Sequence, residues 1–545
     1  MLKGRKGELM NLTQFFAAGL PLLLLLTACS AAPTGFRPTQ PPPNEHEIVA
    51  DAVEIALADN EIKVDGVPAG THAESPVYIG NDILYYESGK DFTYGEGSEA
   101  DAHSPEEAAE HTVVHITRPG TYSISGTLAK GQIAVDLGDQ AKDDPSAVVT
   151  LILNGADITC DVAPAILFYN VYECGSADAD RAGKDVDTSS AGANVILADG
   201  TTNTIRGSYV ARIYKPDSVV LNAAGTAVED AKKLHKYDAA FYSKMSMNIN
   251  GGSENSGVLI IHAENEGLDS ELHLTINGGI IHIRSGNDGI NTNEDGVSVT
   301  TINGGTLNIQ VTGETGEGDG IDSNGWLVIN GGTVIAQACA FSADAGVDSD
   351  MGIHINGGTV VASGNMLDRI SESDQTYAVL NFKNFCGAGR YRIEKADHSV
   401  VLAQELENSF TSLIISSADL AAGDCTLWYN DSQLVGASSE NGGMFGDRGP
   451  DRGQPPEGMA LPEGMAPPEG MAPPELPEGF APEKMEPGME GTPPPGGFNG
   501  GSMGFGGGGP GGNFAPHMPN EAIALSEIFT LKTGANYFRS IAIKE

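Results

Sequence analysis

The sequence predicts an all-β protein whose central domain is a right-handed parallel β-helix, a solenoid of short stacked strands. Three observations carry this reading. The motif Ile-Asn-Gly-Gly occurs five times at almost even spacing, short alternating apolar runs lie between the copies, and the chain is rich in glycine (71 residues) but has only 6% aromatic residues. Many short strands joined by tight turns need that composition, and a helical globule does not.

The motif stands at Ile249-Asn250-Gly251-Gly252, Ile276-Asn277-Gly278-Gly279, Ile302-Asn303-Gly304-Gly305, Ile329-Asn330-Gly331-Gly332 and Ile355-Asn356-Gly357-Gly358, with spacings of 27, 26, 27 and 26 residues. A fixed period of this length is the mark of a repeat array. Runs such as Ile280-Ile281-His282-Ile283 and Thr306-Leu307-Asn308-Ile309 alternate with period two and leave no room for a long amphipathic helix. Each repeat is therefore expected to form one coil of about three strands, with successive coils stacked in parallel roughly 4.8 Å apart. The five asparagines then stand above one another and are expected to form a ladder of side-chain amides.

A second feature recurs in each coil: Gly267-Leu268-Asp269-Ser270, Asp288-Gly289-Ile290-Asn291-Thr292-Asn293, Asp319-Gly320-Ile321-Asp322-Ser323-Asn324 and Gly346-Val347-Asp348-Ser349-Asp350. Alternation turns Leu268, Ile290, Ile321 and Val347 inward. It turns Asp269, Asn291, Asp322 and Asp348 outward in one column, with Asn293, Asn324 and Asp350 in a second. Spacings of 22, 31 and 26 between these motifs place an expanded turn near Glu314 to Glu317. Carboxylates stacked about 5 Å apart repel by roughly 3 kcal/mol per pair at an effective dielectric near 20. Bound Ca²⁺, which takes six to eight oxygen ligands, resolves that repulsion. The predicted ligands are Asp269, Asp288, Asn291, Asn293, Asp319, Asp322, Asn324, Asp348 and Asp350. Glu266 also precedes a motif glycine, and in the last coil, where Ala345 takes that place, Asp344 is the substitute.

The other elements follow in order. Lys3, Arg5 and Lys6 precede an apolar stretch, Phe15 to Leu26, that closes on Leu26-Thr27-Ala28-Cys29. Residues 1–28 read as a signal peptide rather than a spanning helix. The closing cysteine resembles the lipobox of bacterial lipoproteins, which implies that Cys29 is lipidated and anchors an extracellular protein to the membrane. Residues 29–45, with five prolines, form a stiff polar tether. The solenoid is expected over 46–370 and a small β unit over 371–440. Residues 441–518, a Pro/Gly/Met-rich low-complexity segment built around Pro-Glu-Gly-Met-Ala, are expected to be disordered, and 519–545 to return as strands.

Several function classes are disfavoured. With 73 acidic and 30 basic residues the formal charge is −43, which repels nucleic acid and suits cations and an extracellular setting. The five cysteines beyond Cys29 lack the close pairing of a zinc site. Cys386 with Cys425 is a candidate disulfide, and the odd total leaves at least one thiol out of any intramolecular bridge.

Several stretches carry a resemblance to a known family. They are Thr117 to Leu128, Leu151-Ile152-Leu153-Asn154-Gly155-Ala156-Asp157-Ile158, Val195 to Thr201, Ala239-Ala240-Phe241-Tyr242-Ser243 leading into the Asn-Gly-Gly coils, and the acidic Asp-Gly-Ile turns. In these the chain resembles the bacterial carbohydrate-binding β-helix proteins. The resemblance covers about residues 50 to 370, and more loosely to 435. It implies a calcium-carrying β-helix that binds cellulose or acidic pectic polysaccharide.

The leading functional reading is non-catalytic, calcium-dependent binding of polysaccharide, acidic in character, at the cell surface. A neutral glycan would use aromatic platforms, for which Trp326 and Tyr242 are the candidates. The competing readings are a pectate lyase on the same fold and a structural surface adhesin. β-Elimination needs a base beside the calcium, usually Lys or Arg. From Met245 to Asp350 there are fifteen acidic residues and one basic residue, Arg284, so a base would have to come from Arg212, Lys215 or Lys244 upstream.

Overall fold

The computed structural model describes residues 52–439 and 524–544. The signal-peptide, Cys29 and tether readings, and that of the low-complexity segment 441–518, lie outside the described residues. Within them the protein is all-β. Helix is confined to the five-residue Pro105–Ala109 and three single 3₁₀ turns. The short helix is held by a capping box: Ser104 Oγ accepts from Glu107 N at 3.2 Å, and Glu107 Oε2 accepts from Ser104 N at 2.8 Å.

The repeats build three ladders of parallel strands. In the first, Met247–Gly251, His273–Ile276, Val299–Ile302, Trp326–Ile329 and Gly352–Ile355 pair in sequence order. In the second, Val258–Ala263, Ile280–Ser285, Thr306–Val311, Thr333–Gln337 and Thr359–Gly364 do the same. In the third, Ala239–Ser243, Glu266–Ser270, Ile290–Thr292 and Ile321–Ser323 pair in turn, and Ile321 bridges to Val347. Equivalent residues of successive repeats are register partners, so a period of 26 or 27 residues advances the chain by one rung.

The register follows from which residues point inward. Ile249, Ile276, Ile302, Ile329 and Ile355 are fully buried on the first ladder, Ile281, Leu307, Val334 and Val360 on the second, and Leu268, Ile290, Ile321 and Val347 on the third. All belong to one apolar cluster. Burying each such side chain contributes about 1.5–3 kcal/mol, and a slip by one residue would turn every one of them to the outer face. The asparagine of each motif then faces outward, and its amide donates to the preceding one. Asn277 to Asn250 is 2.9 Å, Asn303 to Asn277 and Asn330 to Asn303 are 2.8 Å, and Asn356 to Asn330 is 2.7 Å. In four of the five motifs, all but the first, the second glycine turns the chain at positive φ, from +81° at Gly332 to +92° at Gly279, a conformation costly for any residue with a Cβ.

A second apolar cluster lies beyond residue 370. Phe410–Ser416 pairs antiparallel with both Thr359–Gly364 and Tyr377–Cys386, joining this unit to the end of the second ladder. Ala535–Ile543 pairs with Tyr377–Cys386 and with Ser432–Ser439. Phe410 packs against Phe382 and Tyr391 at ring-centroid distances of 5.5 and 5.1 Å. The candidate disulfide does not form, and all five described cysteines are free. Cys386 pairs with Phe410, whereas Cys425 pairs with Lys395 and Phe529 and donates its thiol to the Phe529 carbonyl at 3.2 Å, so the two sit on different strand pairs.

His273 opens a first-ladder strand at 3% exposure, and its Nδ1 accepts from Val299 N at 3.1 Å. Burial lowers its pKa to about 4. The native state therefore refuses a proton that the unfolded chain accepts below about pH 6.5, and stability falls as pH drops from there toward 4. Across that window the loss is roughly 3 kcal/mol. His273→Gln is expected to remove this part of the acid slope, seen as a smaller difference between urea midpoints at pH 7 and pH 4.5 than in the wild type.

Candidate cation site on the third ladder

The acidic motifs lie on the third ladder, where Asp269, Asn291 and Asp322 are register partners on successive rungs. Their neighbours Leu268, Ile290 and Ile321 enter the core, so alternation turns the polar column to the other side of the sheet. One expectation is corrected here. The column was expected to point outward, but Asp269 is fully buried and Asn291 and Asp322 are only 7% exposed.

A long excursion explains the burial at the upper end. In the central coils the link from the second to the third ladder is short, as between Ala263 and Glu266, but between Gly207 and Ala239 it runs for about thirty residues. This excursion folds back on itself, with Val210 N donating to Tyr237 O and Leu234 N to Ile213 O, each at 2.8 Å. It brings two cations to the acidic rungs. Arg212 pairs with Asp238 at 2.6 Å, and Lys236 pairs with Glu271 at 3.0 Å. Tyr242 lies beneath, 1% exposed, donating to Glu271 Oε1 at 2.5 Å. Tyr242 is thus a core residue and not a sugar platform. Trp326 is partly exposed, but it belongs to the first ladder.

Of the nine predicted ligands, Asp319, Asp322 and Asp348 converge, with one carboxylate oxygen from each within 4.8 Å of the others. Asp288 and Asp319 also tie rungs together through backbone amides. Asp288 Oδ1 accepts from Asp319 N and Asp319 Oδ1 from Ala345 N, both at 2.6 Å. Asp344 Oδ2 accepts from Gly318 N at 2.7 Å. The amides act as spacers between charges. Asn293 donates to Asp269 Oδ1 at 2.7 Å, and Asn324 donates to Asp295 Oδ1 at 2.9 Å. Asp350 is exposed and lies outside the three-carboxylate cluster.

A second group of oxygens stands higher on the ladder. Glu266 Oε2, Asp269 Oδ2 and Asn291 Oδ1 are buried without a hydrogen-bond partner among the described residues. Asn291 Nδ2 donates to Glu266 Oε1 at 3.1 Å, which leaves its own oxygen without a donor. Leaving one such group unpaired costs about 1–3 kcal/mol, more when it is charged.

The electrostatics match this geometry. Burial raises the carboxyl pKa of Glu266 and Asp269 well above the usual range, and neighbouring carboxylates add to the shift. Asp288 rises to about 8, by burial first and then by Asp322. Asp319 is raised by burial and by Asp288 and Asp348. One further member escaped the sequence reading. Asp368 has a buried Oδ2 without a partner and a pKa raised to about 7 by burial and by Asp348. It lies after the last motif and carries none of its flanking residues, so no periodic signal marks it.

Two of the three upstream bases are engaged by other groups. Arg212 is engaged by Asp238, and the Lys244 ammonium sits 4.0 Å from the centroid of the Tyr169 ring. Lys215 is exposed at the start of a 3₁₀ turn in the excursion.

Among curated proteins, none matches the chain. Among solved structures, it is similar to a polysaccharide lyase-like protein from C. thermocellum, solved as a gadolinium derivative, with 20% identity and a TM-score of 0.33, over 59% of this chain and 93% of that one. Residues 110–423, more than half of the sequence and all of the acidic rungs, match the family described as carbohydrate-binding domain-containing protein. By that match the chain belongs to the carbohydrate-binding domain-containing family.

Proposed function

We propose that this protein is a right-handed parallel β-helix that binds acidic polysaccharide through Ca²⁺ held on its third ladder, and that it does not cleave what it binds. Family membership supports polysaccharide binding in general. The observation that carries the finer reading is the convergence of Asp319, Asp322 and Asp348. Two oxygens on one calcium, each at 2.3–2.6 Å from it, can lie no more than about 5 Å apart, and the three carboxylates meet that limit at 4.8 Å. All the donors are hard oxygens, with no His or Cys among them, which favours Ca²⁺ over a soft transition metal.

Asp319, Asp322 and Asp348 would hold one ion, with Asp368 adding charge beside Asp348. Glu266, Asp269 and Asn291 would hold a second. When bound, the ion supplies positive charge that a uronate carboxylate can share. The chain's own residues space and orient the ligands. Asn293 and Asn324 separate the charged rungs, while Asp288 and Asp344 fix the backbone of the turns.

The lyase alternative is disfavoured by the state of the bases. Arg212 and Lys236 lie nearest the acidic rungs, and each is held by a carboxylate that keeps it protonated: burial alone would lower both pKa values, but Asp238 and Glu271 raise them. A base for β-elimination must be able to accept a proton. The test is capture on insoluble pectate with calcium and with chelator, beside an assay for unsaturated products.

Cell-surface anchoring through Cys29 belongs to the same proposal. Cys29→Ala is expected to release the protein into the medium or leave an uncleaved precursor. Persistent labelling of that variant by a fatty-acid probe would sink the anchoring reading.

A further inference from the structure

The end of the first ladder brings a serine, a histidine and a glutamate together. Ile370–Ser373 follows Gly352–Ile355 as a further parallel strand, and the register shifts between them: Ile353 pairs with Ile370, but His354 pairs with Glu372. Ser371 is therefore the extra residue of a β-bulge, without a register partner on the neighbouring strand. A bulge re-aims a side chain, and this one brings the Ser371 hydroxyl against Gly352.

Gly352 keeps the space between these groups open. It sits at φ +133°, a conformation that a residue with a Cβ rarely adopts. A Cβ built on it would collide with Ser371 Oγ and would stand 3.7 Å from His354 Nε2. The hydroxyl and the ring nitrogen thus border one small hollow. The other side of the imidazole is already held, with Nδ1 3.2 Å from Glu372 Oε2. A carboxylate at Nδ1 favours the tautomer with its proton there, which turns the Nε2 lone pair to the hollow.

The two other close histidine–carboxylate pairs lack this arrangement. His111 spends both nitrogens, Nδ1 on the Glu107 carbonyl at 2.9 Å and Nε2 on Asp161 at 2.6 Å. His115 gives its Nε2 to Asp82 at 2.8 Å, and its ring stacks on Tyr78. His354 is 8% exposed, so packing fixes its ring, whereas Ser371 and Glu372 are open to solvent. A nucleophile, a base and a group that orients the base are the parts of acyl transfer, and they are recognised by geometry rather than by order in the chain.

We infer that Ser371, His354 and Glu372 form a hydrolytic site for small acyl esters. Ser371 Oγ forms a bond to the ester carbonyl carbon as its proton passes to His354 Nε2. The bond from that carbon to the alcohol oxygen breaks, and the imidazolium returns the proton to the departing alkoxide. Water then repeats the sequence on the acyl-serine, releasing the carboxylic acid and restoring the hydroxyl. Glu372 is a positioning residue that holds the ring. A hollow no larger than a missing side chain suits an acetyl group and does not enclose a long acyl chain. The reaction removes an acyl group and cuts no polysaccharide backbone. It uses neither the third ladder nor its cations.

The experiment assays the full chain with 4-nitrophenyl acetate in excess chelator. Hydrolysis above the buffer rate is expected, because general-base help is worth about 10²–10⁴-fold. Ser371→Ala should lose at least tenfold in kcat/KM, as should His354→Gln. Glu372→Gln should lower kcat with KM unchanged, and Glu372→Asp should recover part of it. Ser371 is exposed, so Ser371→Ala should fold; circular dichroism and the thermal midpoint check this. Diisopropyl fluorophosphate should add one diisopropylphosphoryl group to the wild type, mapped to Ser371 by mass spectrometry, and none to Ser371→Ala. Hydrolysis no faster than buffer overturns the inference. So does activity that Ser371→Ala keeps in full, which would be the general reactivity of surface side chains. Calcium-dependent pectate capture without ester hydrolysis removes this site alone, and ester hydrolysis without capture removes only the third-ladder reading.

Discussion

Adding 10 mM calcium to metal-free protein is expected to raise its thermal midpoint by about 3 °C for each ion bound. An extracellular module with a Kd near 10⁻⁴ M would be at about a hundredfold excess of ligand, which stabilises the native state by roughly 2.7 kcal/mol per site. With an unfolding entropy of about 2.1 cal/mol/K per residue over some four hundred ordered residues, each kcal/mol is worth roughly 1 °C. Two ions, one at Asp319, Asp322 and Asp348 and one at Glu266, Asp269 and Asn291, would give about 6 °C on the same basis. Asp322→Ala should halve that shift by removing one of the three convergent carboxylates. Asp187→Ala should leave it whole, because Asp187 caps a local turn, accepting from Ser189 N at 2.9 Å, and stands apart from the acidic rungs. Identical scanning-calorimetry traces in calcium and in chelator would falsify the cation site.

The second large effect is on glycan capture. Wild-type protein should bind insoluble pectate in millimolar calcium and lose at least a hundredfold in affinity when calcium is chelated, because a formal charge of −43 opposes a polyanion once the bridging ions are gone. No unsaturated product should appear, even at alkaline pH. General-base assistance is worth about 10²–10⁴-fold, and the cations closest to the acidic rungs are committed to Asp238 and Glu271. Ultraviolet absorbance of the reaction mixture reads this directly. Turnover that disappears in Lys236→Ala or Arg212→Ala would convert the protein into a lyase and overturn the non-catalytic reading.

Much of the repeat region was legible in the residues. A spacing of 26 or 27 between motifs, strict alternation between them, and one outward asparagine per motif specify parallel pairing, the inward set Leu268, Ile290, Ile321 and Val347, and an amide ladder. These are local and periodic properties. A strand's two faces differ by one residue in sequence, so alternation alone assigns them.

The site was legible only as a column. Alternation says that Asp269, Asn291 and Asp322 share a side of the third ladder, but it is silent on what lies over that side. The excursion from Gly207 to Ala239 covers the upper rungs, buries Asp269, and supplies Arg212 and Lys236, and no periodic signal in the sequence connects these segments. The same cover turned Tyr242 from a candidate platform into a core residue. Asp368 joined the acidic group from beyond the last motif, and Phe341 is left largely exposed. The sequence by itself determined strand order, register and the inward face, since these follow from a period-two backbone and a repeat equal to one rung. Only the tertiary structure decided which carboxylates converge, which cations reach them and which aromatic stays in water, because those depend on how non-repeating loops pack across the repeating ladder.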